Sequence, residues 1–410
     1  MEIIVIGGGP AGLTAAIFAA RSGAKVTVLE GMEKPGKKLL MTGNGRCNLT
    51  NLTIQGAQGY QSDCLKGVDA ILRTFSYRET LSFFRELGLL TRVRQESLVY
   101  PYSEQAASVL DALLKEVRRL SIKLKCREKV LRVVPEKDRF LVKTSSWEYE
   151  ASRVILAAGG CAVPATGSDG SGLSIARELS HSLIPAYPGL VPLTVKERVG
   201  KSMEGVRCQA QAALFVNGKE CGKETGELQW TSYGISGILI FQLSRRAVRE
   251  QALGKKVEIV LDLFPDYSEE ELLTLLGCQT ILETNSVPSY EGYLGGIFHK
   301  KVLNALLGSL SLKPGSPMTD EEVRKVLHLA KHLKLTITGS RSFDQAQIST
   351  GGIPLSEVDG STLESKKVPH LYVCGELVNV DGPCGGFNLQ WAFASGCLAG
   401  RSAAREEETL

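Results

Sequence analysis

The residues best placed to do chemistry stand in two glycine-rich segments at opposite ends of the chain. In the first, Gly7-x-Gly9-x-x-Gly12 follows the apolar run Glu2-Ile3-Ile4-Val5-Ile6 and opens an Ala-rich stretch from Leu13 to Ser22. Gly7 permits a tight turn, Gly9 lets backbone approach a pyrophosphate, and Gly12 lets helix and sheet pack closely. Pro10 and Ala11 sit where the helix N-terminus offers N–H groups and partial positive charge to phosphates. Glu30 follows Gly12 by 18 residues, where an acid binds a ribose 2′-OH. That choice favours an adenosine with a free 2′-OH, as in FAD or NAD, over NADP.

The second segment decides between those two. Gly375-Glu376 follows the apolar run Leu371-Tyr372-Val373-Cys374, and Gly385-Gly386-Phe387-Asn388-Leu389 precedes a last helical stretch. Two nucleotide-contacting segments so far apart suit a long ligand, so FAD is the expected cofactor. Glu376 can accept hydrogen bonds from ribityl hydroxyls. A helix N-terminus at Asn388 and Leu389 can aim N–H groups at the N1/O2 edge of an isoalloxazine.

The elements that must hold these residues are readable from the pattern. Residues 2–6, the glycine turn, the helix to Ser22 and the strand Lys25 to Leu29 make a βαβ unit of about 30 residues. Val154-Ile155-Leu156 is a further buried strand, ending at Ala157-Ala158-Gly159-Gly160. Residues 31–63 read as a long loop. Helical patterns occupy about 67–88 and 103–120, and strand patterns about 122–134 and 139–155. From 190 to 262 short runs alternate with turns such as Asn217-Gly218, a β-rich pattern. Residues 268–333 read as mostly helical, with Ser268-x-x-Glu271 and Thr319-x-x-Glu322 as capping boxes. The expected fold is α/β, a three-layer Rossmann-like domain of residues 1–189 and 346–410. It is interrupted by a β-barrel-like insertion on the substrate side (190–264 and 334–345) and a small helical insertion (265–333).

Composition narrows the class. Gly contributes 43 of 410 residues, above the average of about 7%, with no collagen-like period. The net charge is +4, from 48 basic and 44 acidic residues, too balanced to imply a polyanionic partner. The basic clusters at Lys115 to Arg132 and at Arg245-Arg246 are interleaved with acids or short, and read as solvated faces. The ten cysteines form no C-x-x-C pair, so neither a zinc site nor a dithiol centre is indicated. No signal peptide or apolar span of about 18 residues is visible. Unpaired thiols fit a reducing cytoplasm.

The stretch Lys34-Pro35-Gly36-Lys37-Lys38 to Thr42-Gly43-Asn44-Gly45-Arg46-Cys47-Asn48-Leu49-Thr50-Asn51 closely resembles the loop of the BaiN/YhiN-type flavoproteins, the aminoacetone-oxidase-like FAD enzymes. Further matches are Tyr100-Pro101, Ala158-Gly159-Gly160, Gly167-Ser168-Asp169-Gly170, Thr350-Gly351-Gly352, Glu364-Ser365-Lys366 and Gly385 through Gln390. The similarity covers nearly the whole chain. The resemblance implies a glutathione-reductase-like FAD domain with barrel and helical insertions, and flavin redox chemistry. It carries over Lys38, Gly43, Asn44, Arg46 and Asn48 as FAD contacts, and Val130 as a backbone contact to adenine. One departure stands out. Where the family commonly has Thr-His-x-Gly-x-Ser-Gly-Pro, this chain has Thr231-Ser232-Tyr233-Gly234-Ile235-Ser236-Gly237-Ile238, so a proton-transfer role for that histidine does not transfer.

No acid or base stands out for catalysis. Arg46 and Tyr233 are the candidates, beside Tyr100 and Tyr102, which packing explains as well. Cys47 and Cys384 lack partner thiols in their motifs and read as structural. His328 and His332 are spaced i, i+4, but no third ligand or His-Glu-x-x-His pattern accompanies them, so surface residues and no metal are expected. No second Gly-x-Gly-x-x-Gly turn opens a βαβ unit in residues 190–345, so NADH or NADPH would bind only transiently. The expected function is a cytoplasmic FAD-dependent oxidoreductase of a small organic substrate. The resemblance suggests NAD(P)H-linked reduction of an activated C=C bond, as in steroid or bile-acid intermediates, or oxidation of a small amine by oxygen. An RNA-modifying flavoprotein is a further reading, and the charge balance argues against a nucleic-acid partner. The oligomeric state is left open.

Overall fold

The computed structural model describes residues 1–197, 202–277, 289–317 and 319–405. Cys278 and the acidic residues after Arg405 lie outside the described residues. The chain divides into two compact units, residues 1–188 with 346–410, and residues 189–345.

The first unit is built on a five-stranded, all-parallel sheet. Its strand order is Leu371–Val373, Arg153–Leu156, β1 (Glu2–Ile6), β2 (Lys25–Glu30), Lys123–Cys126. Parallel strands covered on both faces read as unbroken apolar runs, and Ile3 to Ile6 are all buried. The helix α1 (Pro10–Arg21) connects β1 to β2. It packs on the helix Phe387–Ala403 at backbone contact distance. A Cβ at Gly396 would lie 2.4 Å from Ala11 O, and one at Gly400 would lie 2.2 Å from Ala15 O. The buried Arg153 guanidinium donates to Ala403 O at 2.9 Å and Arg405 O at 2.6 Å, which satisfies carbonyls at the end of that helix.

Several local boundaries differ from the sequence pattern. The strand run at 122–134 breaks at Arg127, where φ is +60°. Lys123–Cys126 joins the parallel sheet, while Val130–Pro135, Phe140–Thr144 and Glu148–Ala151 form a separate antiparallel sheet. The helical stretch at 67–88 is two helices, Leu65–Thr74 and Tyr77–Glu86, because Ser76 and Glu79 form a capping box that starts a new one. The loop at 31–63 holds a short helix, Lys37–Met41.

The second unit contains a closed six-stranded barrel. Around it run Leu193–Val195, Gly234–Ser236, Lys219–Thr231, Arg207–Val216, Val257–Asp262 and Leu333–Ser340, the last pairing with the first. The β-rich reading of 190–262 missed the 15-residue helix Ile238–Ala252. Its opening Ile-Leu-Ile-Phe imitates a strand, but the buried Leu239, Ile240, Leu243, Ala247 and Val248 keep the helical period. Helices Glu269–Leu276, Tyr290–Leu294, Lys300–Ser309 and Asp320–Lys331 follow, and the Ser268/Glu271 and Thr319/Glu322 capping boxes are both formed. Among the described residues no helix is long and apolar enough to cross a membrane.

Candidate functional site

A cleft opens at the carboxyl ends of the parallel strands, where open α/β sheets bind ligands. Ile6 and Gly7 from β1, Leu29 and Glu30 from β2, Ala157 to Gly159 after Leu156, and Glu376 after Val373 all line it.

Each glycine of the first turn has its own physical reason. Gly7 sits at φ +106°, and a Cβ there would lie 2.5 Å from Ala157 O. At Gly12 a Cβ would lie 1.9 Å from Gly7 O, so the helix could not seat on the turn. Gly9 differs. Its φ is −78° and a Cβ would meet nothing within 4 Å. No protein atom requires a glycine there, yet Gly9 lines the cleft. The missing side chain leaves room for a ligand to lie against backbone. Pro10 has no N–H, and the first-turn amides of α1 lack helical acceptors, so they are available to an anion.

Glu30 is held on the rim by two backbone amides. Gly8 N donates to its Oε2 and Met32 N to its Oε1, both at 2.7 Å. A carboxylate oxygen accepts more than one hydrogen bond, so the fixed group can still take ribose hydroxyls. At the other side, Lys38 Nζ donates to Glu376 Oε2 at 2.5 Å, and Ser349 N donates to Glu376 Oε1 at 2.6 Å. This ion pair joins the loop after β2 to the C-terminal segment across 338 positions.

The N-terminus of the C-terminal helix completes the lining through Asn388 and Leu389. The Asn388 side chain turns back onto its own loop. Its Oδ1 accepts from Gly382 N at 2.8 Å and its Nδ2 donates to Gly382 O at 2.8 Å. The contribution of Asn388 and Leu389 to a ligand is therefore the unpaired amide edge of the first helical turn. Gln390, one step on, is an anchor. Its Oε1 accepts from Thr50 at 2.7 Å and Thr80 at 2.9 Å, and its Nε2 donates to Phe75 O at 2.8 Å.

Of the residues singled out in the sequence, Gly7, Gly9, Pro10, Ala11, Glu30, Lys38, Val130, Ala158, Gly159, Glu376, Asn388 and Leu389 line this cleft. Gly12, Gly375 and Gly386 stand behind it as packing positions. The Gly375 Cβ would touch the Ala11 Cβ at 2.7 Å, and the Gly386 Cβ would meet Thr50 backbone at 2.6 Å. Gly43, Asn44, Arg46 and Asn48 are not in the lining. Gly43, Asn44 and Cys47 adopt left-handed backbone, with φ +56°, +55° and +59°. That winding leaves Arg46 exposed and Cys47 and Asn48 buried. The Asn48 Oδ1 is buried without a protein partner. Burial pushes the Cys47 thiol up to about 12, which suits a packing role.

Pattern reading missed Met32, Lys129, Ser168, Asp169 and Gln347, which also line the cleft. The Gly167-Ser168-Asp169-Gly170 match was the available signal. Ser168 Oγ is buried in the lining with no partner in the protein. Lys129 Nζ pairs with Asp169 at 2.6 Å on the rim. An orphaned hydroxyl, a glycine with no steric reason and a fixed rim carboxylate fit FAD as the ligand.

The remaining candidates are not among the lining residues. Tyr233, in the second unit, is half-buried with the Arg341 guanidinium 4.7 Å from its ring centre. Tyr102 is exposed under Arg92 at 4.5 Å. Tyr100 is half-buried, and burial raises its pKa above the ordinary phenol value. His328 and His332 do have a third group beside them. Glu269, from another helix, supplies it.

Comparison with known proteins places the chain. The profile described as HI0933-like protein Rossmann domain matches residues 1–402. A 3-dehydro-bile acid delta(4,6)-reductase of Clostridium scindens is 40% identical over 98% of this chain and 99% of that protein. A ribosomal RNA dihydrouridine synthase of Haemophilus influenzae is 27% identical over 99% of each. Among solved structures, the 3-ketosteroid-delta4-(5alpha)-dehydrogenase of Rhodococcus jostii RHA1 has a TM-score of 0.50 at 14% identity, covering 99% of this chain and 97% of that one. At that identity the likeness shows the fold.

Proposed function

Since this chain belongs to the HI0933-like Rossmann-domain family and is an FAD-dependent oxidoreductase, we propose that it reduces a C=C bond conjugated to a carbonyl in a small steroid-like molecule, with NADH or NADPH as donor. The supporting observation is the 40% identity, end to end, with a reductase whose named substrate is a 3-oxo bile acid carrying conjugated double bonds. FAD, when bound, would supply the hydride-transfer chemistry that no side chain of the chain can supply.

The chain's own residues hold and orient. Glu30 would take the adenosine ribose, and Val130 would present backbone to the adenine. The Ala11 amide, at the start of α1 beside the open Gly9, would serve the pyrophosphate. Glu376, clamped by Lys38, would accept from the ribityl hydroxyls. The amide edge at Asn388 and Leu389 favours negative charge at the far end of the cleft. The one Gly-x-Gly-x-x-Gly turn is committed to FAD, so the nicotinamide binds transiently. Reduction of a conjugated enone adds one hydride from NAD(P)H to a terminal carbon of the conjugated system. The matching proton comes from solvent or a protein donor.

The uracil ring of a dihydrouridine synthase substrate is also a C=C bond conjugated to a carbonyl, so the relatives at 27% and 25% identity suggest a second substrate for the same chemistry. Anaerobic mixing of FAD-loaded protein with NADH or NADPH is expected to bleach the flavin band near about 450 nm. Colour should return on adding a 3-oxo-Δ4,6 bile acid. Reduction by small amines and not by nicotinamides would instead make the protein an amine oxidase. Dihydrouridine formed in ribosomal RNA, with no turnover of the dienone, would replace the steroid reading with the RNA one.

A further inference from the structure

The second unit carries a cluster of metal-ligating groups that the redox chemistry does not use. We propose that Glu269, His328 and His332 form a binding site for a divalent transition ion of the Zn2+ or Ni2+ class.

The three ligand atoms converge before any ion is added. His328 Nδ1 lies 2.9 Å from Glu269 Oε1, and His332 Nδ1 lies 3.4 Å from the same oxygen. All three ligand atoms fall within 4.8 Å of one another. Ligand bonds of about 2.0–2.1 Å in a tetrahedral site put neighbouring ligand atoms about 3.3 Å apart. Little side-chain movement separates the observed cluster from a coordination shell. The two rings lie side by side, 4.5 Å between centres and 28° apart in plane, as i, i+4 residues on one helix face do.

The scaffold fixes both ends. Glu269 is the first residue of its helix, directly after Ser268, whose capping box with Glu271 sets that turn. His328 lies in the last turn of Asp320–Lys331, and His332 caps its end. Lys331, between the two histidines in sequence, is directed elsewhere. Lys331 Nζ donates to Asp262 Oδ2 at 2.8 Å, Phe264 O at 2.8 Å and Tyr267 O at 2.5 Å. His332 Nδ1 also lies 3.1 Å from His328 O. An ion therefore replaces an Nδ1 proton, which moves to Nε2 and leaves the imidazole neutral.

The donor set names the ion class. Two imidazoles and one carboxylate suit Zn2+, Ni2+ and Cu2+, whereas Mg2+ and Ca2+ want oxygen alone. The histidine side chains are 65% and 53% exposed, so at least one position remains for water. An ion here would clip two helices together across 59 residues of sequence.

The test uses full-length, FAD-loaded protein, stripped with a chelator and desalted. Zn2+ titration by calorimetry should show one equivalent that is lost in the double variant H328A/H332A and at least about tenfold weaker in E269Q. Mg2+ at the same concentration should not compete. Zinc-edge X-ray absorption of the 1:1 wild-type complex should show a nitrogen/oxygen shell with imidazole scattering. A sulfur shell, equal Zn2+ binding by wild type and H328A/H332A, or no retained zinc in the wild type would each overturn the proposal. The absorption measurement needs no variant, so a misfolded mutant cannot mask the answer.

Discussion

The two glycine clusters that flank the cleft look alike in composition and differ in what they answer to. At Gly9 a side chain would enter empty space, and the backbone angle is one any residue adopts. At Gly386 a side chain would meet three backbone atoms of Thr50 within 2.9 Å, and φ is +96°. Gly382 resembles Gly386, with Phe387 Cβ 2.6 Å away. Within the first cluster Gly7 and Gly12 answer to the protein and Gly9 alone leaves open space, whereas Gly382 and Gly386 of the second both answer to protein contacts. An excess of one residue type near a site therefore does not by itself mark contact with the ligand.

The sharpest way to break this contrast is one chemical change made twice. Gly386→Ala combines left-handed strain with a backbone clash, each about 1–3 kcal/mol. FAD-free protein should lose about 4 kcal/mol in denaturant unfolding, or fail to accumulate. If it unfolds like wild type, the C-terminal loop is softer than its contacts imply. Next in size is Glu30→Gln. Gly8 N and Met32 N bond different oxygens of Glu30, so in Gln one of them faces an NH2 donor, and leaving a buried donor unmet costs about 1–3 kcal/mol. Both FAD-free stability and FAD affinity should fall, the first by melting and the second by flavin titration.

Gly9→Ala should leave FAD-free stability within about 0.5 kcal/mol of wild type while weakening FAD binding about tenfold, or about 1.4 kcal/mol. Unchanged affinity would remove the distinction between the clusters.

The smallest effect concerns the segment that leads into the second cluster. His181 Nε2 meets Ser365 Oγ at 2.9 Å and its Nδ1 meets Glu357 at 2.9 Å. Burial holds the imidazole pKa below its ordinary value of about 6.5, against the pull of Glu357. The unfolded chain takes up a proton that the folded chain resists, so stability should fall as pH drops below about 6.5. Unfolding midpoints at stepped pH would show a flatter profile for His181→Gln. The same slope in both proteins would assign the effect elsewhere.

Local patterns made much of this legible. The glycine turn, its flanking strands and the acid at 30 are contiguous, so their geometry follows from a few residues. The capping boxes at 268 and 319 are equally local. What escaped depended on distant partners or misleading runs. Ser168 becomes an orphaned hydroxyl only when residues 157–159 fold against it. Glu269 becomes a third partner of the two histidines only when two helices pack. Ile238 to Phe241 read as a strand until the buried positions of the following turns are counted. Arg46, set beside phosphate-binding residues by sequence, is swung outward by left-handed backbone on either side of it.

The close crossing of α1 with the C-terminal helix carries a consequence for the order of events during synthesis. A ribosome that has produced the first 350 residues has made the glycine turn and Glu30, but neither Glu376 nor the amides at 388 and 389. Until residues 376 to 389 emerge, the nascent chain therefore holds only part of the cleft's lining. Meanwhile the alanine face of α1, later covered at Gly396 and Gly400, waits without its partner. Capture of the cofactor must therefore wait for residues 376 to 400, when a single helix both shields that face and completes the lining.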